Sequence, residues 1–205
     1  MEVQFITHHT DRYTALDGIR LALASGCRWI QLRMKEASDA EVVVAAREAR
    51  LMCDAYGARL ILDDRAHLVA ETHAEGVHLG RTDMPVDEAR RLLGPDPIIG
   101  GTANTIDDIR HLDAMGADYI GCGPLRFTTT KARLAPLLGY DGYEALLSQM
   151  RHEGITLPLI AIGGVTADDL PTLARIGVAG IAVSGHVLRA DDPIRAMQNL
   201  IDYES

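Results

Sequence analysis

Residues 159–186 read LIAIGGVTADDLPTLARIGVAGIAVSGH. Two short apolar runs, Leu159–Ile162 and Gly180–Val183, flank an amphipathic stretch, Thr166–Ile176. The first run ends in Gly163-Gly164 and the second in Ser184-Gly185-His186. Asp168 and Asp169 fall early in the stretch, where acids favour a helix N-terminus, and Gly177 follows as a stop. Short apolar runs with β-branched residues read as buried parallel strands, so the segment is one strand–helix–strand unit.

The same unit recurs along the chain. Further strand candidates are Val3–Ile6, Trp29–Leu32, Leu60–Leu62, Gly76–Leu79, Ile98–Gly101 and Tyr119–Cys122. Between them lie helical patterns, including Asp39–Tyr56 with Gly57 as its stop and Thr105–Met115 with Gly116 after it; Asp192–Tyr203 reads as the closing helix. Weak half-repeats at Gly57-Ala-Arg, Gly116-Ala-Asp and Gly177-Val-Ala are what repeated helix-to-strand turns produce. Eight strands alternating with about as many helices predict an α/β fold, a single (β/α)8 barrel over residues 1–205. A doubly wound open sheet is the competing architecture.

Composition removes several functional classes. The chain has 205 residues, 47% of them hydrophobic and 24% charged, enough for a core without disulfide or metal staples. Its net charge of −9, its lack of a basic run and its 4% aromatic content argue against a nucleic-acid partner. No apolar run approaches the ~18 residues of a membrane span, and the N-terminus shows no secretory pattern. Cys27, Cys53 and Cys122 have no paired spacing and read as reduced core thiols, which points to the cytoplasm. Of twenty cationic side chains only Lys35 and Lys131 are lysines, and each falls inside a motif.

In such a barrel the chemistry sits where strands end. After the second strand, alternation along Gln31-Leu32-Arg33-Met34-Lys35 puts Gln31, Arg33 and Lys35 on one side, where they call for an anion. A surface ion-pair cluster with Glu36 and Asp39 would use the same residues. Asp63-Asp64-Arg65 and Arg81-Thr82-Asp83 end the next two strands, and their carboxylates could share a hard cation such as Mg2+. Helix capping and turn formation are the alternatives. Gly100–Thr105 is a phosphate-friendly turn or an ordinary cap. The segment from Gly123 to Asp141, carrying Thr128, Thr129, Thr130 and Lys131, exceeds the ~12–15 residues of an ordinary connection and reads as a functional loop or a disordered insertion. The glycine-rich turns after strands seven and eight form a barrel's usual phosphate site.

Taken together, QLRMK at 31–35, DDR at 63–65, VHLGRTD at 77–83, IIGGTANT at 98–105, DYIGCGPLRFTTTK at 118–131 and AIGGVT at 161–166 resemble the thiamine-phosphate synthase family over essentially the whole chain. The resemblance implies a (β/α)8 barrel that joins a hydroxymethylpyrimidine diphosphate to a thiazole monophosphate and releases pyrophosphate. It implies Gln31, Leu32, Arg33, Met34, Lys35, Asp63, Thr102 and Lys131 around the pyrimidine diphosphate. Thr128, Thr129, Thr130, Gly164, Val183 and Ser184 would surround the thiazole phosphate, and Asp64 and Asp83 would hold Mg2+. Arg33, Lys35 and Lys131 would carry the catalysis. It further implies a dissociative substitution, which needs leaving-group charge and positioning rather than a Ser/His/Asp triad. Thr102 stands where the family has a serine, and two positions depart from the family pattern: Asp63 for asparagine and Arg81 for glutamine. These two suggest a compensating Asp63–Arg81 ion pair, or Asp63 as a further metal ligand. A thiazole tautomerase-like barrel and a non-catalytic, ligand-sensing barrel are the rival readings; His186, beside the phosphate turns, keeps the first in play.

Overall fold

In a computed structural model describing residues 1–127 and 136–203, eight parallel strands close on themselves in the order of the sequence. They are β1 (Glu2–Ile6), β2 (Trp29–Leu32), β3 (Arg59–Asp63), β4 (Gly76–Leu79), β5 (Ile98–Ala103), β6 (Tyr119–Cys122), β7 (Leu159–Ile162) and β8 (Gly180–Val183). Closure is carried by β1 against β8, with Phe5 beside Val183. The open-sheet alternative is therefore excluded. Among the described residues, α-helices cover Ala15–Ala24 (α1), Asp39–Tyr56 (α2), Val69–Thr72 (α3), Val86–Leu93 (α4), Ile106–Ala114 (α5), Gly139–Glu153 (α6), Leu170–Ile176 (α7), Gly185–Leu188 (α8) and Pro193–Ile201 (α9). No helix among the described residues is long and apolar enough to cross a membrane.

Local sequence fixes the ends of these elements. Ser38 and Glu41 form a reciprocal capping box that starts α2, and Gly57 ends it at φ 63, a left-handed turn that glycine adopts without steric penalty. Thr105 and Asp108 cap α5 in the same way. The stretch Thr166–Ile176 divides into a 3-10 turn, Ala167–Asp169, and then α7.

Strand alternation divides the core in two. Phe5, Ile30, Leu60, Ile120 and Ile181 point outward and pack with the helices. Their neighbours Ile6, Trp29, Ile61, Tyr119, Ile160 and Ala182 form a separate cluster that fills the barrel interior. Large inward side chains need small partners. A Cβ at Gly100 would strike the Tyr119 ring, and one at Gly121 would lie 2.8 Å from His78 Cε1. Glycine at both positions leaves room for buried Tyr119 and half-buried His78 beneath the barrel mouth.

All three thiols are buried and free. Burial pushes Cys53 and Cys122 up to about 12, far from a reactive thiolate. Replacing all three with alanine should leave turnover unchanged and cost about 1 kcal/mol each, on the scale of a buried methylene. A steady-state assay with a urea melt checks this; loss of turnover without loss of stability would show a working thiol.

Candidate functional site

The C-terminal ends of the strands share one rim around a cavity of about 780 Å³. One half of its wall is ionic. On β2, Gln31 is buried in the barrel, while Arg33 and Lys35, just beyond the strand, line the cavity. Leu32 and Met34 do not. Leu32 is buried in the outer core, and Met34 packs against that core. The alternation that turns Arg33 and Lys35 inward turns the Leu32 and Met34 side chains away from the cavity. Thr7, beyond β1, locks this strand end: its hydroxyl donates to the Arg33 carbonyl at 3.1 Å and accepts from the Arg33 N–H at 2.8 Å.

Asp63 and Asp64 complete this half. Asp63 is 8% exposed and lies 3.5 Å from Arg33 Nε and 3.7 Å from Lys35 Nζ. Lys35 also pairs with Asp64. Asp64 sits at φ 67, a left-handed conformation that Asp tolerates better than most residues. Arg65 supports both loops from behind, with Nη2 on the Ala37 carbonyl at 2.6 Å and Nε on Asp39 at 3.0 Å. The following 3-10 turn takes no side-chain cap from Arg65, so the DDR triplet is not built as a helix cap.

Arg81 points elsewhere. It is 59% exposed, and its ion pair is with Asp108 at the start of α5, at 4.0 Å. The suggested Asp63–Arg81 pair is therefore corrected: strand order makes the two ends neighbours and both line the cavity, but Arg81, one residue beyond Gly80, reaches across the rim to Asp108.

Asp83 folds back over its own turn, where Oδ2 accepts from the Gly80 N–H at 2.6 Å. It also meets Asp64. Burial raises the Asp83 carboxyl above its ordinary value, and the contact with Asp64 raises it further. Burial acts on Asp64 in the same sense but is outweighed by hydrogen bonds from Asp83 and Lys35, which hold Asp64 below the usual range. Two carboxylates in contact repel unless a proton or cation sits between them. Among the described residues no cluster of three or more His, Cys, Asp or Glu is placed to hold a metal. A two-carboxylate site still fits Mg2+, which takes one or two carboxylates and draws its other ligands from phosphate oxygens and water.

The floor is polar. His78 donates or accepts at Tyr119 Oη and at Thr102 Oγ1, each at 3.0 Å, and Gln4 Nε2 donates to Tyr119 Oη at 3.3 Å. Thr102, implied by the resemblance, stands at the cavity wall with His78, inside β5 rather than in the turn expected at Gly100–Thr105. His78 lies within VHLGRTD, and its inward position follows from alternation with Gly76 and Gly80.

The opposite half of the wall is built of turns. Gly163 and Gly164 have φ of 90° and 75°, and both line the cavity with Val183, Ser184 and His186. A Cβ on Gly164 would lie 2.5 Å from Arg126 Cγ. Ser184 Oγ is buried with no hydrogen-bond partner among the described residues, which suits a hydroxyl meant for a ligand. Burial lowers the pKa of His186, with Asp169 and Asp168 opposing. Thr128, Thr129, Thr130 and Lys131 lie outside the described residues.

A closed parallel barrel whose strand ends carry an ionic wall and a glycine-rich wall defines an enzyme of the phosphate-handling (β/α)8 class. Comparison with known proteins narrows this. The profile of the family described as thiamine monophosphate synthase matches residues 3–187, and the chain belongs to that family of enzymes. It is 52% identical to the thiamine-phosphate synthase of Phocaeicola vulgatus over 98% of this chain and 97% of that one. It is 50% identical to the protein of the same name from Bacteroides fragilis, over 98% and 99%. A solved structure, the thiamine phosphate pyrophosphorylase from Pyrococcus furiosus, superposes with a TM-score of 0.85 at 30% identity, covering 98% of this chain and 94% of that one. These likenesses do not favour the tautomerase-like or sensing readings.

Proposed function

We propose that this chain condenses 4-amino-5-hydroxymethyl-2-methylpyrimidine diphosphate with a thiazole monophosphate to give thiamine monophosphate and pyrophosphate. The observation that carries the reading is the division of one cavity into an ionic wall and a glycine-rich wall facing each other. The diphosphate belongs on the first, against Arg33 and Lys35, with Gln31 and Thr102 toward the pyrimidine. The monophosphate belongs on the second, at Gly164, Val183 and Ser184. Thr128, Thr129, Thr130 and Lys131 are assigned to the same two phosphates through the family motif alone. The cytoplasm is the proposed compartment, consistent with three unpaired thiols, and residues 1–205 are proposed as one domain.

The reaction breaks the bond between the pyrimidine methylene and the diphosphate oxygen, whose electron pair leaves with pyrophosphate. The thiazole nitrogen supplies the pair for the new bond. Arg33 and Lys35 stabilise the growing negative charge on the leaving oxygen, and the buried floor keeps water from competing with the nitrogen. The substitution transfers no proton in its bond-breaking step, so leaving-group charge and positioning carry it. Mg2+, held by Asp64 and Asp83, would neutralise diphosphate charge when bound.

The test is a product assay with both substrates, with one omitted in turn, and with chelator. Thiamine monophosphate and pyrophosphate should appear in equal amounts only when both substrates and Mg2+ are present. Full turnover in excess chelator would remove the metal role. Thiazole phosphate binding without turnover would identify a sensor, and its isomerisation alone a tautomerase.

A further inference from the structure

Asp169 is the most enclosed carboxylate among the described residues, 1% exposed, and the mechanism above does not use it. By sequence it is an early acid in the β7–α7 connection, one that would only favour a helix dipole. In the fold its two oxygens gather donors from three elements. Oδ2 accepts from Arg126 Nη1 at 2.6 Å, from the Thr166 N–H at 2.7 Å and from Thr166 Oγ1 at 3.1 Å. Oδ1 accepts from Arg126 Nη2 and from Tyr140 Oη. Burial alone would raise its pKa, but these bonds outweigh it and hold the carboxyl at about 2, ionised throughout the working range.

The ion pair is bidentate, the strongest and most directional form. Its consequence lies one bond further on, because Arg126 Nη1 also donates to the Gly164 carbonyl at 2.6 Å. Gly164 can accept that approach because it lacks a Cβ, which would overlap the Arg126 stem. The backbone repeats the tie: Leu125 N–H donates to the Ile162 carbonyl at 2.9 Å and Arg126 N–H to the Gly163 carbonyl at 3.0 Å. The two-glycine turn, both of whose residues are left-handed, is thus gripped from outside through a side chain anchored on Asp169.

We infer that Asp169, acting through Arg126, is a positioning residue that sets the Gly163–Gly164 turn in the geometry that receives a phosphate monoester. Aiming a turn without touching the ligand predicts a selective defect: monophosphate affinity falls while the diphosphate half of the cavity is undisturbed. The inference rests on the assignment of the monophosphate to this turn.

The experiment uses the full chain with two probes, inorganic phosphate and the thiazole monophosphate, measured by calorimetry. Asp169→Asn keeps the size of the buried group. Arg126→Met breaks the same pair from its more exposed side and serves if the first variant folds poorly. Each should weaken both probes by about 10- to 100-fold, the scale of a small misplacement. The double variant should be no worse than the worse single one, and the diphosphate KM should stay within about twofold. Tyr140→Phe, which leaves the Arg126 pair intact, should have the smallest effect. Folded variants with unchanged probe affinity, or with equal losses for monophosphate and diphosphate, would overturn the inference. Selective loss of phosphate binding in a chain that makes no thiamine monophosphate would uphold the inference and overturn the proposed reaction instead.

Discussion

An Asp83→Ala chain assayed at limiting Mg2+ is expected to lose about 10²- to 10³-fold in kcat/KM, the range found when one preorganised electrostatic group is removed from a reacting centre. The physical reason is the contact between Asp83 and Asp64. Folding brings two carboxylates together and raises one of them, and a divalent cation between them would relieve their repulsion. Removing Asp83 leaves Asp64 with Lys35 as its partner, a stable pair with much weaker metal affinity. Because the lost property is affinity, raising Mg2+ should restore part of the rate, and the metal concentration for half-maximal rate should move upward by at least the 10-fold lost in affinity per ~1.4 kcal/mol. Asp64→Asn, which keeps a residue tolerant of φ 67, should show the same displacement. Rates that fall equally at every Mg2+ concentration would show that Asp83 acts by holding the Gly80 turn rather than by binding metal.

The parts of the molecule that were legible in the sequence are those written in local pattern. The bounds of α2 follow from Ser38, Glu41 and Gly57, all within one helix and its caps. The inward set Gln31, Arg33 and Lys35 follows from a two-residue period, and the same period, applied strictly, moves Leu32 and Met34 out of the site. What escaped was written across distance. Asp169 meets Arg126 from 43 residues away and Tyr140 from 29, and no local signal distinguishes it from an ordinary helix-start acid. His78 has such a signal, because it alternates with Gly76 in β4 and Gly80 just after it; its partner Tyr119 comes from 41 residues further on. Arg81 failed for a geometric reason. Neighbouring strands bring their ends together, yet a single residue past Gly80 is enough to turn its side chain toward α5 and Asp108.

That correction makes the second large effect specific. Asp63 is buried beside Arg33 and Lys35, so Arg33→Met removes the nearer of those two cations from a buried carboxylate and leaves Lys35 at 3.7 Å. Breaking a fully buried pair costs about 3–5 kcal/mol; at an opening cavity with Lys35 retained, about 1–3 kcal/mol of stability is expected to go. The same variant removes a cation from the wall proposed for the diphosphate, so kcat/KM should fall by about 10²-fold, equal to ~2.7 kcal/mol at 1.36 kcal/mol per decade. Asp63→Asn should act in the opposite direction on binding. It returns to Arg33 and Lys35 the charge that Asp63 now offsets, and the diphosphate KM should drop several-fold, the lower end of the ~1–4 kcal/mol Coulomb range at contact distance. Urea melts of the two double-mutant cycles then separate the partners. Asp63→Asn with Arg33→Met should be non-additive by about 1 kcal/mol or more, because the asparagine no longer needs the lost cation. Asp63→Asn with Arg81→Gln should be additive within about 0.5 kcal/mol, since Arg81 pairs with Asp108. Coupling in the second cycle and additivity in the first would mean that Arg81 turns inward in solution and that the ionic wall is wired differently.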